Sequence, residues 1–220
     1  MTDCDSVAAA VAKIDETYGR LDATFANAGT AGAPGMLEDA DPAMYKFVLD
    51  VNIAGVMHTV KCSTKLMAKS GGGQMALCSS IYGLQATPML SAYITSKHAV
   101  EGLKKAMALG AKMMNFVFKT RKLCIKITHK RENCVSKTRN FVLNMMIFAE
   151  LLPHNIRVNN LNPSWTPSEM TGPFSQGPFR DKCINAMQTD GRMSEMGETS
   201  AAVAYLLSPD SRYINGSDLY

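Results

Sequence analysis

Apolar residues recur along this chain in two spacings that take turns: helical intervals of three and four, and short near-continuous runs. Between Ser6 and Gly19, Val7, Ala10, Val11 and Ile14 share one helical face, and Gly19 suits the stop. Leu21 to Ala26 is a short, mostly apolar run that predicts a strand ending at Asn27-Ala28-Gly29. Asp41 followed by Pro42 predicts a helix start, with an aspartate cap and a proline in the first turn. That helix is expected to run towards Ser70 and to stop at Gly71-Gly72-Gly73. Gln74 to Cys78 predicts a buried strand, Ser91 to about Leu109 a helix, and Ile156 to Leu161 another strand. Short apolar strands alternating with helices predict βα units, an α/β fold and a parallel sheet. Functional groups then gather at the carboxyl ends of the strands. Asn27-Ala28-Gly29, Ser79-Ser80 and Asn162-Pro163 each stand just after a strand.

Composition narrows the class. With 46% hydrophobic and 19% charged residues over 220 positions, the chain can bury one sizeable core and is not a disordered segment. No apolar run reaches the ~20 residues of a spanning helix. The longest, Phe141 to Leu152, is interrupted by Asn144 and Glu150. Met1 leads directly into Thr2-Asp3-Cys4-Asp5, with neither the basic nor the apolar part of a signal peptide, so a cytoplasmic protein without membrane contact is expected. The six cysteines show no C-x-x-C pair and the four histidines stand apart from them. Reduced thiols and no metal site are therefore expected.

The candidate chemistry centres on Tyr93 and Lys97. Four residues apart on a helix, they share a face. An ammonium there can stabilise a tyrosinate and bring a phenol of ordinary pKa about 10 into use as an acid or base. Ser80, thirteen residues upstream, offers a hydroxyl to orient a carbonyl or alcohol. Y-x-x-x-K by itself is common, and a surface pair unrelated to catalysis is the better reading of it taken alone. Taken alone, Ser80 reads equally well as a turn cap, and Asn52 equally well as a polar residue that kinks its helix.

The ordered set of motifs resembles the classical short-chain dehydrogenase/reductase family. Asn27-Ala28-Gly29 is similar to the family's N-A-G, Val51-Asn52-Ile53-Ala54-Gly55 to its V-N-x-x-G, and Ser80, Tyr93 and Lys97 to its catalytic serine, tyrosine and lysine. Ile156-Arg157-Val158-Asn159 with Pro163, Val203 to Ser208, and Tyr213-Ile214-Asn215-Gly216 resemble the later strands and helix. The resemblance implies a Rossmann-like, doubly wound parallel sheet, NAD or NADP as coenzyme, and hydride exchange with a small alcohol or carbonyl substrate. It implies Tyr93 as proton donor or acceptor, Lys97 as the group that lowers its pKa and holds the nicotinamide ribose, Ser80 as the substrate-oxygen partner, and Asn52 as the anchor of a proton-relay water. Asn27, Ala28, Gly29, Pro163, Ser164 and Ser168 would line the coenzyme, beside Tyr93 and Lys97. Two positions depart from the family: Ser164 stands for a glycine and Ser168 for a threonine. Trp165 to about Ser194 should form the substrate loop. A homo-oligomer through the helices near Ala43–Ser70 and Ser91–Leu109 is implied, with no nucleic-acid partner.

Two regions do not follow the family. The glycine-rich strand–turn–helix that cradles a dinucleotide pyrophosphate does not occur; Gly29, Gly32 and Gly35 follow a strand but lead into no immediate helix. Residues 1–220 thus read as one partial Rossmann domain without its first βαβα units and without its last strand. Coenzyme binding is expected to be impaired, and the rival reading is a non-catalytic fragment or interaction protein. The second region is residues 110–149, which carry nine basic residues against one acidic. This +8 exceeds the +4 of the whole chain, so the remainder is net −4. A nucleic-acid or acidic-membrane arm and a solvated insertion are both open, but the stretch reads best as a translated intron. Lys, Asn, Phe, Ile and Met, with A/T-rich codons, make up 21 of its 40 residues, and GT…AG boundaries fit at Gly110 and Ala149-Glu150.

Overall fold

The computed structural model describes residues 2–108, 154–172, 181, 182, 184 and 191–220. Helix α1, Cys4–Tyr18, begins two residues before its apolar periodicity does, because the Asp3 carboxylate accepts the backbone N–H groups of Asp5 and Ser6. It ends at Gly19 and packs on the later helix Gly55–Lys69. Strand β1 is Ala23–Ala26. Asp41 caps α2, Pro42–Leu49, in the same way through Ala43 and Met44.

The helix expected to run from Pro42 to Ser70 does so, but its pitch changes on the way. A π-helical stretch, Asp50–Ala54, separates α2 from α3, Gly55–Lys69. Such a widened turn is uncommon and concentrates at functional positions; Asn52 sits in it, fully buried.

The glycine triplet then turns the chain into β2, Gly73–Cys78. Gly72 has φ +124, and a Cβ placed on it would run into the Asn155 carbonyl. Gly72→Ala is therefore expected to destabilise the fold by about 1–3 kcal/mol, read as a lower Tm. Helix α4 covers 91–108. Strand β3 is Ile156–Leu161, helix α5 Met196–Leu207, and strand β4 Asp218–Leu219.

The sheet order is β1-β2-β3-β4 and every pairing is parallel. Side chains alternate between its faces. Met75 and Leu77 enter one core with Val56, Val60 and Met67 of α3 and Val100 and Met107 of α4, while Ala76 meets Leu206 of α5 on the other. Helices on both faces of a parallel sheet make the Rossmann-like, doubly wound arrangement expected from the sequence.

The same alternation sorts the polar residues of β3. Arg157 and Asn159 face the α5 side and clamp the turn before β4: Arg157 donates to Ile214 O and Ser208 O, and Asn159 donates to Ile214 O while accepting from Ser217 N. That clamp bears on one correction. The last strand was expected to be missing, yet Asp218 and Leu219 pair with Asn160 and Leu161. Backbone bonds from Asn160 N to Ser217 O, 2.9 Å, and Asn162 N to Leu219 O, 2.7 Å, suffice to start the ladder.

The insertion at 110–149 lies outside the described residues, as does much of the expected loop between Trp165 and Ser194. The ends of that loop meet: Ser194 N donates to Trp165 O at 2.9 Å, and the Thr166 and Ser194 hydroxyls are 2.6 Å apart. Among the described residues no helix is long and apolar enough to cross a membrane.

Candidate active site

The carboxyl ends of β1, β2 and β3 bring three of the sequence motifs together. Ser80 follows β2 in an extended conformation and opens a short 3-10 turn, Ile81–Gly83, by accepting the Tyr82 N–H at 3.2 Å. Its hydroxyl lies 3.5 Å from the Pro163 carbonyl, to which it donates, and it stands near enough to the Tyr93 phenol to oppose the rise of that group's pKa. Tyr93 and Lys97 project from one face of α4 and are 9% and 2% exposed. The Tyr82 ring stands edge-on to Tyr93 at 6.4 Å. Lys97 Nζ is 5.5 Å from the centre of the Tyr93 ring and donates to the Cys78 carbonyl at 2.8 Å. Among the described residues this is its one hydrogen bond, which leaves two N–H groups of the ammonium for another partner.

The electrostatics differ from the sequence expectation. Lys97 was expected to hold the Tyr93 pKa down. Instead burial pushes Tyr93 up to about 12, with Cys78 and Tyr82 adding to the rise and the Ser80 hydrogen bond opposing it. Burial also lowers Lys97. The physical reason is position: the ammonium is engaged by the Cys78 carbonyl and lies over the ring. In this geometry burial favours the neutral phenol of Tyr93. A titration of phenolate absorbance, differenced against Tyr93→Phe, is therefore expected to place Tyr93 at about 12, against about 10 for an ordinary tyrosine.

Asn52 is held on all sides. Its Oδ1 accepts Thr30 N at 2.8 Å, and its Nδ2 donates to Thr30 O and to the Ser96 hydroxyl, both at 2.8 Å. The side chain thus ties the loop after β1 to α4, since Ser96 in turn donates to Tyr93 O at 2.7 Å. Asn27 is exposed, whereas Ala28 and Gly29 are half-buried. A Cβ on Gly29 would lie 3.4 Å from Lys97 Nζ and 3.5 Å from Asn52 Oδ1, so this loop runs directly beside the lysine. Pro163 and Ser164 are half-buried, and the Pro163 carbonyl also accepts Ile81 N at 3.1 Å. Ser168 is exposed and turns to Thr171, 3.1 Å away.

Sequence reasoning missed a second group behind α4. Ser79 donates to Lys97 O at 3.1 Å, Asn162 donates to Glu101 Oε1 at 2.8 Å, and the fully buried Lys104 bridges Glu101 Oε2 and Asp218. The spacing 93, 97, 101, 104 is the signal that could have found Glu101 and Lys104, since it continues the face that carries Tyr93 and Lys97. No group of three or more metal-ligating side chains gathers among the described residues.

Comparison with known proteins agrees with this arrangement. Residues 1–118 match the sequence model of a family described as short chain dehydrogenase, and residues 135–220 match one described as enoyl-(acyl carrier protein) reductase. A (-)-trans-carveol dehydrogenase of Rhodococcus erythropolis is 28% identical over 98% of this chain and 68% of its own length. An A-factor type gamma-butyrolactone 1'-reductase of Streptomyces virginiae is 30% identical over 93% of this chain and 65% of its own. The chain thus spans about two thirds of the length of these relatives. Among solved structures, a carveol dehydrogenase from Mycobacterium avium in complex with NAD superposes with a TM-score of 0.75 at 28% identity, covering 99% of this chain and 69% of that one.

Proposed function

The chain belongs to the short-chain dehydrogenase/reductase family, and from that premise we propose that it exchanges hydride between a nicotinamide coenzyme and a small secondary alcohol or its ketone. The observation that carries this reading is the convergence of Ser80, Tyr93 and Lys97 in one buried site, with the lysine beside the tyrosine ring.

Each residue has a task in this reading. Tyr93 gives its proton to the carbonyl oxygen during reduction, or takes the hydroxyl proton during oxidation. Ser80 donates a hydrogen bond to the same oxygen and so favours the negative charge that develops there. Asn52 and Ser96 keep α4 in place relative to the loop after β1. The buried Lys97, with two N–H groups unengaged among the described residues, and the adjoining Ala28-Gly29 backbone fit the ribose of the nicotinamide half. Pro163, Ser164 and Ser168 belong to the same side in this reading, and Asn27 marks the exposed mouth of the loop. The nicotinamide, when bound, supplies or accepts the hydride. For the pyrophosphate half the described residues present no glycine-rich turn, so the fit extends to one half of the coenzyme.

The substrate reading comes from a cavity of about 180 Å³ beside Tyr93, lined among others by Met44, Val48, Met89 and Leu90. Its apolar wall suits a hydrocarbon ring, and relatives named for carveol and cyclohexanol support that class. A cytoplasmic homo-oligomer joined through the α2–α3 and α4 helices belongs to the same reading. Exposed Met44, Phe47 and Met57 support such a contact. The test is turnover of cyclic secondary alcohols with NAD and with NADP, followed by coenzyme absorbance. Reduction of either coenzyme is expected; no turnover with any alcohol or ketone tried would favour a non-catalytic interaction protein.

A further inference from the structure

Polar residues that the proposed chemistry does not use are concentrated behind α4. Glu101, 3% exposed, receives the Asn162 amide at 2.8 Å. Burying a carboxylate is costly unless it is paired and hydrogen-bonded. Here it is so only in part, because Glu101 Oε2, the whole Asn160 amide and Asn162 Oδ1 make no hydrogen bond among the described residues. Lys104 faces Glu101 Oε2 at 3.2 Å. An apolar pair would fill the same space at less cost, so stability alone is a poor reason for Glu101 and Asn162.

Their connection to the site is short. Asn162 is followed by Pro163, whose carbonyl accepts both the Ser80 hydroxyl and Ile81 N. The proline ring fixes its own φ, and a residue before proline has little freedom in ψ. These two restrictions leave the ψ of Pro163 as the main free torsion between Asn162 and the Pro163 carbonyl. That carbonyl takes the Ser80 proton, which the proposed chemistry needs for the substrate oxygen. We propose that Glu101, acting through Asn162, is a positioning residue that sets the Pro163 carbonyl and thereby the direction of the Ser80 hydroxyl. The proposal rests on the reading of Ser80 and Tyr93 as the reacting pair.

Trp165, the only tryptophan of the chain, lies two residues beyond Pro163 and is 8% exposed. It reports on this segment without any need for activity. In the 220-residue chain, Asn162→Ala is expected to shift Trp165 emission to the red, raise its quenching by acrylamide, and lower kcat about 10–100-fold with KM nearly unchanged. Glu101→Gln keeps an oxygen for the Asn162 amide, so it should retain the Trp165 signal and kcat while lowering Tm. If Asn162→Ala does not fold, Asn162→Ser, which is polar but too short to span to Glu101, is read in its place. A folded Asn162 variant with wild-type Trp165 emission and kcat overturns the proposal. So does Glu101→Gln losing as much kcat as the Asn162 variant. A wild type without turnover counts against the dehydrogenase reading alone, and the Trp165 response then decides the positioning.

Discussion

Replacing Tyr93 by phenylalanine is expected to lower turnover about 10²–10⁴-fold, the range a positioned proton donor or acceptor contributes. The change removes one oxygen from a buried ring whose packing against Tyr82 is otherwise kept. Fold and coenzyme affinity should therefore survive, and the loss should appear in kcat more than in KM. The direction of the pKa shift sharpens the expectation. Burial holds Tyr93 protonated, up to about 12, so ketone reduction has its proton in place over the ordinary pH range. Alcohol oxidation must first remove that proton and should rise with pH. Ser80→Ala deletes the hydroxyl that opposes the upward shift, as well as the donor to the substrate oxygen. A loss of about 10²–10³-fold is expected by analogy with removal of an oxyanion donor. Steady-state kinetics in both directions measure all three effects; equal turnover by Tyr93→Phe would remove the residue from the mechanism.

The second large effect concerns stability. Lys104 is 0% exposed and joins α4 to the closing strand through Glu101 and Asp218. Lys104→Met leaves two carboxylates facing each other in a partly buried space. Breaking a buried pair on one side costs about 3–5 kcal/mol, or roughly 6–20 °C in Tm for a domain of this size. Burial opposes the Glu101 charge, but hydrogen bonds and the Lys104 charge prevail and hold it below the ordinary carboxylate value. Its contribution is thus present above that ordinary value and lost as pH falls. Burial and the nearby Glu101 raise Asp218 against the pull of Lys104, so its contribution runs the other way and fades as pH rises through the raised value. Without the lysine both groups gain from a proton. The deficit of Lys104→Met should therefore shrink as pH is lowered from neutrality towards the carboxylate range. Thermal melts of both proteins across that range check it.

Much of this architecture is legible in residue order because each strand and helix is amphipathic by a simple period. Met75, Ala76 and Leu77 alternate between two cores, and Asp41-Pro42 starts its helix where the cap and proline place it. Ser80, Tyr93 and Lys97 are brought together as their spacing suggested. The π turn at Asn52 has no counterpart in apolar spacing, because one widened turn hardly disturbs a period of 3.6. Glu101 and Lys104 escape a reading from sequence, since such residues are almost never buried unless paired. Their partners Asn162 and Asp218 are 61 and 114 residues away in the chain. The sign of the Tyr93 shift depends on burial and on where the ammonium points, neither of which a four-residue spacing contains.

The proposed chemistry requires that this chain hold a nicotinamide coenzyme against Tyr93 and Lys97. Titrating the 220-residue chain with NADH and with NADPH, followed through coenzyme fluorescence, tests that requirement most directly. Saturable binding of at least one of them in the micromolar range, weakened by Lys97→Met, is the expected result. No binding of either up to millimolar concentration would contradict it.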